Sequence, residues 1–245
     1  MRMGVVAGIA VAMTACGGAP AATPARTPAA QAIQVPSCLT AADAPQAVRF
    51  HAADGATLDG AAIGSGSTAI VFSNDRGDDP CAWLTLAREV KGMGYRVLFW
   101  SYGGATPRLD AEAAAAVAEA RSLGSNRILV IGASVGAAAA FVAATTLQPA
   151  LAGLVALTCE QDFPVQRLHP MTVAPALRVP ILLVGTEDGY YSTGDQTRAL
   201  FAVIGSPDKR LLVLPGSQSG ASLLSGSTGD QVRASVIDFV QKHSA

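Results

Sequence analysis

Residues 130–140 read VIGASVGAAAA, and this stretch decides the predicted fold. An apolar β-branched run leads into Gly-Ala-Ser-Val-Gly at 132–136, and an alanine-rich segment of high helix propensity follows. A serine in Gly-x-Ser-x-Gly between a strand and a helix is typical of a sharp turn that exposes a nucleophilic hydroxyl. The pentapeptide alone is a weak pattern, since GASVG could also be a tight glycine-rich turn without chemistry. Its position directly after the strand pattern at 127–131 favours Ser134 as a nucleophile.

Strand and helix patterns alternate from residue 46 to residue 245. Apolar strands separated by helices predict an α/β fold with a mostly parallel sheet covered by helices on both faces. The first two strands flank Asp54-Gly55, a turn signal that predicts an antiparallel pair at the sheet edge. Functional residues are then expected in loops at the carboxyl ends of the strands. Strands are predicted at 47–51, 57–63, 69–73, 96–100, 127–131, 153–159, 181–184 and 210–214, and helices at 83–90, 110–122, 136–147, 196–204 and 231–242.

Length and charge narrow the range of functions. The chain has 245 residues, 50% of them hydrophobic, and a formal net charge of −1. That is enough for one folded domain, assigned to residues 46–245, with a sizeable core. No run of Lys or Arg occurs, so no nucleic-acid partner is predicted. No Cys/His spacing is typical of a metal site, and we predict neither a metal nor a cofactor. The oligomeric state is not indicated.

The N-terminal segment has the pattern of an export signal. Arg2 precedes the apolar residues 3–13, which are too few to span a bilayer. The next residues end in Thr-Ala-Cys16 and resemble a bacterial lipobox, so residues 1–16 are interpreted as a lipoprotein signal with Cys16 lipidated. An ordinary secretory signal cut after a small residue is the alternative. Residues 17–45, rich in Ala, Pro and Thr, are interpreted as a linker between a lipid anchor in the bacterial membrane and an outward-facing domain.

Three further cysteines follow the signal: Cys38, Cys81 and Cys159. An exported protein can form disulfides, and an odd number leaves one thiol free. Cys38 and Cys81 both lie in predicted loops and are the expected pair. Cys159 ends an apolar strand pattern and is expected to be a small core residue.

From residue 47 onward the chain resembles the α/β-hydrolase family, especially its small bacterial, dienelactone-hydrolase-like members. The resemblance rests on HAADGATLDG, WLTLAREVKGMGYRVL, GASVG and PILLVGTEDG. It implies an α/β-hydrolase fold and hydrolysis of small carboxylic esters or lactones by a serine. Only about twenty residues separate Cys159 from Ile181, so we expect a short cap and a shallow pocket for small substrates.

The resemblance also implies roles for individual residues. Ser134 matches the nucleophile, and Asp188 in Gly-Thr-Glu-Asp matches the acid, with Glu187 as second choice. The family order of Ser before Asp is kept, although GTEDG could also be a solvated acidic turn. The backbone N–H groups of Val135 and Asp75 are the expected oxyanion donors.

The expected catalytic histidine is missing. The family places it after the last strand, in a loop where this chain reads LLVLPGSQSGASLL at 211–224, and Ser219 stands at its position. A serine hydroxyl cannot act as a base near neutral pH. His51 is predicted on the edge strand and His243 at the bottom of the last helix. His169 lies in the cap connection and is the substitute base considered, although it could equally be a solvated loop residue.

Two interpretations therefore stay open. In the first, the protein is a serine hydrolase with a non-standard or missing base. In the second, it is an inactive α/β-hydrolase-fold lipoprotein that binds a ligand or serves as a scaffold, since fold alone does not establish function.

Overall fold

The computed structural model describes residues 32–75, 79–103 and 108–244, together with Gly4 and Gly8. The predicted signal sequence with Cys16, and the predicted linker as far as residue 31, lie outside the described residues apart from those two glycines. Within the described ranges, every helix is too short or too polar to cross a membrane.

A single eight-stranded sheet runs through the described domain. The β1–β2 and β2–β4 pairs are antiparallel and all other pairs are parallel, which confirms the predicted α/β class and its antiparallel edge pair. The strand order is β1-β2-β4-β3-β5-β6-β7-β8. The strands are β1 Gln46–His51, β2 Thr57–Ile63, β3 Thr68–Ser73, β4 Arg96–Trp100, β5 Arg127–Ala133, β6 Gly153–Leu157, β7 Ile181–Thr186 and β8 Lys209–Leu214.

Helices cover both faces of the sheet and bury two apolar cores. One core includes side chains of α2, α3 and α5, and the other includes side chains of α1 and α6. Every residue of α3 except Val142 is buried. Its alanines let the helix approach the sheet closely, because a side chain of one methyl group takes little space. The helices are α1 Leu84–Gly92, α2 Leu109–Ser122, α3 Val135–Ala144, α4 Pro170–Val173, α5 Gly194–Val203 and α6 Gly229–Ser244.

Two elements end earlier than their sequence patterns predict. Strand β6 ends at Leu157 and not at Cys159, because Thr158 adopts a positive φ of 53°. Its amide still donates to Val184 O at 2.7 Å, so the chain turns while anchored to β7. Helix α3 ends at Ala144 and not at 147, where the hydroxyls of Thr145 and Thr146 bond back to carbonyls of the last turn.

The predicted disulfide between Cys38 and Cys81 is present, with its Cα atoms 5.8 Å apart. It joins the segment before β1 to the 3₁₀ turn Pro80–Trp83 before α1. An ion pair between Arg88 of α1 and Asp43, 2.8 Å long, fastens the same segment. Residues 38–45, the last part of the predicted linker, are therefore attached to the domain. Cys159 is a free, buried thiol, as predicted.

The connection between β6 and β7 forms a short cap, as predicted. Phe163 and Leu168 pair across a small hairpin, which is followed by α4 and the 3₁₀ turn Ala174–Ala176. Leu168 is buried, whereas Val165 at the hairpin tip is 77% exposed. The hairpin therefore covers the carboxyl end of the sheet beside Ser134 with only a few residues.

Candidate active site

Ser134 occupies a sharp turn between β5 and α3. Its backbone has φ 48° and ψ −120°, a conformation that costs a non-glycine residue roughly 1–3 kcal/mol. The Ser134 amide donates to Leu157 O at 2.9 Å, and its carbonyl accepts from Ala138 N at 3.1 Å. The turn is thus held by β6 on one side and by the first turn of α3 on the other.

Neither glycine of Gly-x-Ser-x-Gly has room for a side chain. A Cβ on Gly132 would lie 2.7 Å from Ala137 Cα, and a Cβ on Gly136 would lie 2.2 Å from Asn74 O. Carbon and oxygen atoms normally stay at least about 3.3 Å apart. The missing side chains therefore let β5, α3 and the end of β3 converge on Ser134.

Ser134 opens into a cavity of about 230 Å³ at the carboxyl ends of the strands. Ser134 is 8% exposed, and its hydroxyl makes no hydrogen bond to another described residue. The end of β3, the β5–α3 turn, the cap hairpin and the loop after β7 all contribute to the walls. The lining residues are Asp75, Ser134, Val135, Glu160, Phe163, Gln166 and Tyr191. The carboxyl end of the sheet is where the sequence predicted the site.

The predicted oxyanion donors both lie at this cavity. Val135 is the first residue of α3. An amide at this position has no intrahelical acceptor and lies at the positive end of the helix. Asp75 follows the end of β3 and lines the same cavity. Asp75 Oδ2 lies 3.6 Å from the position of a Cβ on Gly220, the residue after Ser219.

Asn74 fixes the segment that carries Asp75, a role that the sequence analysis missed. Its amide nitrogen donates to Trp100 O at 2.7 Å, and its amide oxygen accepts from Trp83 Nε1 at 2.6 Å. The hydroxyl of Tyr102 donates to Asn74 O at 2.9 Å. Asn74 is 2% exposed, so these bonds are shielded from water. Nothing in the letters FSND distinguishes this asparagine, because its partners come from β4 and the turn before α1.

Ser219 lies in a loop that is bonded to the backbone beside the Ser134 turn. Gly220 N donates to Thr158 Oγ1 at 2.9 Å, and a Cβ on Gly220 would lie 3.6 Å from Ala133 Cβ. The Ser219 amide donates to Ser222 Oγ at 3.2 Å, which caps the 3₁₀ turn Gly220–Leu224. That Ser219 stands at the family's histidine position stays a prediction, and residues 215–219 of this loop include no side chain that could act as a base.

Asp188 lies in the turn after β7, next to the Ser219 loop. Its amide donates to Gly216 O at 3.0 Å, while its exposed carboxylate makes no hydrogen bond or ion pair with another described residue. Glu187 is instead paired with Arg198 of α5, at 3.0 Å from the Arg198 Nη1 nitrogen. That guanidinium holds the pKa of Glu187 below its usual range. Of the two candidate acids, Asp188 is the one whose carboxylate is not engaged.

None of the three histidines lines the cavity. His169 precedes α4, is exposed, and its Nδ1 nitrogen contacts the carboxylate of Asp162. His51 lies on edge strand β1, 3.2 Å from Thr57 Oγ1. His243 lies in the last turn of α6 beside Phe239 and Asp208, where burial lowers its pKa.

Glu160 is a further titratable residue of the cavity, and the sequence analysis missed it. It follows Cys159 at the carboxyl end of β6 and shares the cavity with Ser134. Partial burial, and then the nearby Asp75 carboxylate, raise the pKa of Glu160 to about 7. The sequence feature that could have indicated Glu160 is its position directly after the apolar run GLVALTC, at the carboxyl end of a predicted strand. Within the described ranges, no three His, Cys, Asp or Glu side chains are grouped as metal ligands.

No protein-family model matches the chain, and no curated protein sequence is significantly similar to it. Solved structures do match. An esterase of Pyrococcus furiosus superposes with a TM-score of 0.71 at 14% identity, covering 82% of this chain and 91% of that one. A cold-adapted esterase from an Arctic intertidal metagenomic library gives 0.61 at 16% identity, covering 81% and 93%. The Pyrococcus horikoshii acylaminoacyl peptidase gives 0.66 at 16% identity, covering 81% of this chain and 41% of that one.

The strand order and these structural neighbours identify the architecture as the α/β-hydrolase fold. The neighbours include esterases, lipolytic enzymes and a peptidase. Identities near 15% support the fold and leave the activity of this chain to be argued from its own residues.

Proposed function

We propose that the chain is a serine hydrolase that cleaves small carboxylic esters or lactones, with Ser134 as its nucleophile. The observation that carries the proposal is the backbone of Ser134, held at φ 48° between two glycines and opening into a cavity. Strained conformations of this kind persist where the surrounding structure enforces them, and they cluster at active sites. Two of the structural neighbours are esterases, which supports acyl transfer as the class of reaction.

The reaction assigns a task to each group. The Ser134 hydroxyl attacks the acyl carbon and forms an acyl-enzyme, which water then hydrolyses. The amides of Val135 and Asp75 donate to the developing oxyanion, and Asn74 keeps Asp75 in place. A preorganised donor of this kind contributes about 10²–10³-fold to the rate.

The cavity favours small substrates. Its volume of about 230 Å³ is below the range of roughly 300–1,000 Å³ found for drug-sized ligands. Phe163 and Tyr191 supply apolar walls, and the cap is too short to form a long acyl channel. We therefore propose acetyl or similarly short acyl groups, or a small lactone, as the substrate class.

The experiment is hydrolysis of a short-chain aryl ester by the full chain beside Ser134→Ala. Under the proposal, the wild type releases the phenol and Ser134→Ala falls to the rate of buffer. Equal rates for the two proteins contradict the proposal.

An inactive binding protein is the second candidate, and Ser219 at the expected histidine position favours it. In that case the same cavity holds a ligand without turnover. Binding of the aryl ester, detected by calorimetry in a protein that does not hydrolyse it, would support this candidate.

We further propose that the protein is exported and anchored by a lipid on Cys16, facing outward from a bacterial membrane. The disulfide between Cys38 and Cys81 supports export, because such bonds persist in oxidising compartments. The expected result is that Cys16→Ser moves the protein from the membrane fraction to the soluble fraction. An unchanged distribution would contradict the lipid anchor.

A further inference from the structure

We propose that Glu160 is the general base that activates Ser134, in the role that a histidine has in related hydrolases. The inference rests on the proposed serine-hydrolase function. Its basis is that the two side chains line one cavity of about 230 Å³ whose other walls contain no histidine.

The backbone connects the two residues closely. Ser134 N donates to the carbonyl of Leu157, the last residue of β6, and Glu160 follows three positions later. Between Leu157 and Glu160, Thr158 turns the chain at φ 53°, and its amide donates a hydrogen bond to Val184 O. Its hydroxyl accepts from Gly220 N, so the turn is pinned between β7 and the Ser219 loop.

The residue before Glu160 faces the opposite way. Cys159 is 1% exposed, belongs to the apolar core, and donates through Sγ to the carbonyl of Glu160 at 3.6 Å. With the Cys159 side chain inside the core, the Glu160 side chain is left to line the cavity. The same turn that ends β6 early therefore delivers a carboxylate to the cavity that Ser134 lines.

The surroundings suit a carboxylate that exchanges protons near neutral pH. The titratable side chains that line the cavity with Glu160 are the Asp75 carboxylate from the end of β3 and the Tyr191 phenol, while Phe163 and Gln166 are neutral. Burial and the Asp75 charge raise the pKa of Glu160 to about 7. A general base works best when its pKa lies near the working pH.

The proton balance closes with these groups. The Glu160 carboxylate takes the Ser134 proton as the bond from Ser134 Oγ to the acyl carbon forms and the carbonyl electrons move to the oxyanion. The intermediate collapses, the ester C–O bond breaks, and Glu160 returns the proton to the departing alcohol. Water then attacks the acyl-enzyme, Glu160 accepts its proton, and Ser134 recovers that proton as the acid leaves.

The test measures kcat and kcat/KM for a short-chain aryl ester between pH 5 and 9. The full-length wild type is compared with Ser134→Ala, Glu160→Gln, Glu160→Asp and His169→Ala. Asp162→Asn is the matched control, since it removes a carboxylate from the same connection, next to His169 and outside the cavity lining. Thermal unfolding of each variant verifies that it folds.

We expect the wild-type rate to rise through pH about 7, the pKa of Glu160. Glu160→Gln lowers kcat about 10²- to 10⁴-fold and removes this inflection, because the amide accepts no proton. Glu160→Asp keeps an inflection with a smaller loss. Asp162→Asn and His169→Ala stay within about twofold of the wild type. A structural role for Glu160 would lower the rate without removing the inflection.

Two outcomes overturn the inference in distinguishable ways. If Ser134→Ala is inactive but Glu160→Gln keeps the wild-type rate and pH profile, the base is another group, and a loss in His169→Ala identifies it. If the wild type and Ser134→Ala are equally inactive, the proposed hydrolase function fails and the inference fails with it.

Discussion

In the turn at residues 132–136, Gly136 should be the residue that tolerates substitution least. In Gly136→Ala the new Cβ would lie 2.2 Å from Asn74 O and 2.3 Å from Ser73 O, both backbone atoms. Normal C···O contacts begin at about 3.3 Å, so α3 and the end of β3 must separate by roughly 1 Å. Overpacking of this kind costs about 1–3 kcal/mol, of which helix propensity returns up to about 1 kcal/mol.

The functional effect should exceed the loss of stability. The displaced segment carries Asp75, and the displaced helix carries Val135, so both proposed oxyanion donors move relative to Ser134. A misplacement of about 1 Å can cost about 10²-fold in rate. The assay combines urea unfolding with ester hydrolysis for Gly136→Ala.

Gly92→Ala is the matched control for this substitution. Gly92 ends α1, and a Cβ there meets no atom within 4 Å. The control should keep its activity and be unchanged or up to about 1 kcal/mol more stable. The reasoning is refuted if Gly136→Ala matches the wild type in both stability and kcat, since the close approach would then not be required.

Three further predictions concern the support of the site and of the domain. Asn74→Ala leaves Trp83 Nε1 without its acceptor and Trp100 O without its side-chain donor. Urea unfolding should therefore show a loss of roughly 2–4 kcal/mol in the free energy of unfolding. A loss below about 0.5 kcal/mol would show that these bonds do not support Asp75. Cys38→Ser opens a link between residues 43 positions apart, which should destabilise the domain by about 4 kcal/mol, and treatment of the wild type with a reductant should reproduce that loss. Hydrogen bonds from Arg88 and from the Thr40 amide hold the pKa of Asp43 well below its usual range. The ionised Asp43 carboxylate therefore stabilises the fold above pH about 4, and this stabilisation is lost as the pH falls through the folded-state pKa. Asp43→Asn should therefore lower the melting temperature at pH 7, and its difference from the wild type should narrow below pH about 4; a constant difference would exclude the ionised pair as the cause.

Much of the fold could be predicted because it depends on local patterns. The apolar strands, the Asp54-Gly55 turn and the alanine-rich helix after Ser134 each specify their own element, and their alternation predicts a mostly parallel sheet. The disulfide was predictable because, of the three cysteines after the predicted signal, only Cys38 and Cys81 lay in predicted loops. The end of β6 was not predictable, because Thr158 adopts its positive φ through bonds to Val184 and Gly220 that are distant in sequence.

The candidate site was only half predictable for the same reason. Ser134 and Val135 follow from their position in a strand–turn–helix pattern, and Asp75 follows from the family resemblance. Asn74 is bonded to Trp100 of β4 and to Trp83 of the turn before α1, and the Glu160 pKa depends on a cavity that exists only in the folded chain. The placement of Ser219 at the family's histidine position stays a prediction from the resemblance, and no sequence pattern could show that Glu160 lines the same cavity as Ser134.

Covalent labelling of Ser134 tests the central claim most directly. A fluorophosphonate reacts with serines that are activated as nucleophiles and leaves a stable phosphonyl ester, which mass spectrometry locates on a peptide. We predict one label per wild-type chain, on the peptide that contains Ser134, and none on Ser134→Ala. A wild-type chain that stays unlabelled, or that carries the label on Ser219 instead, would contradict the account.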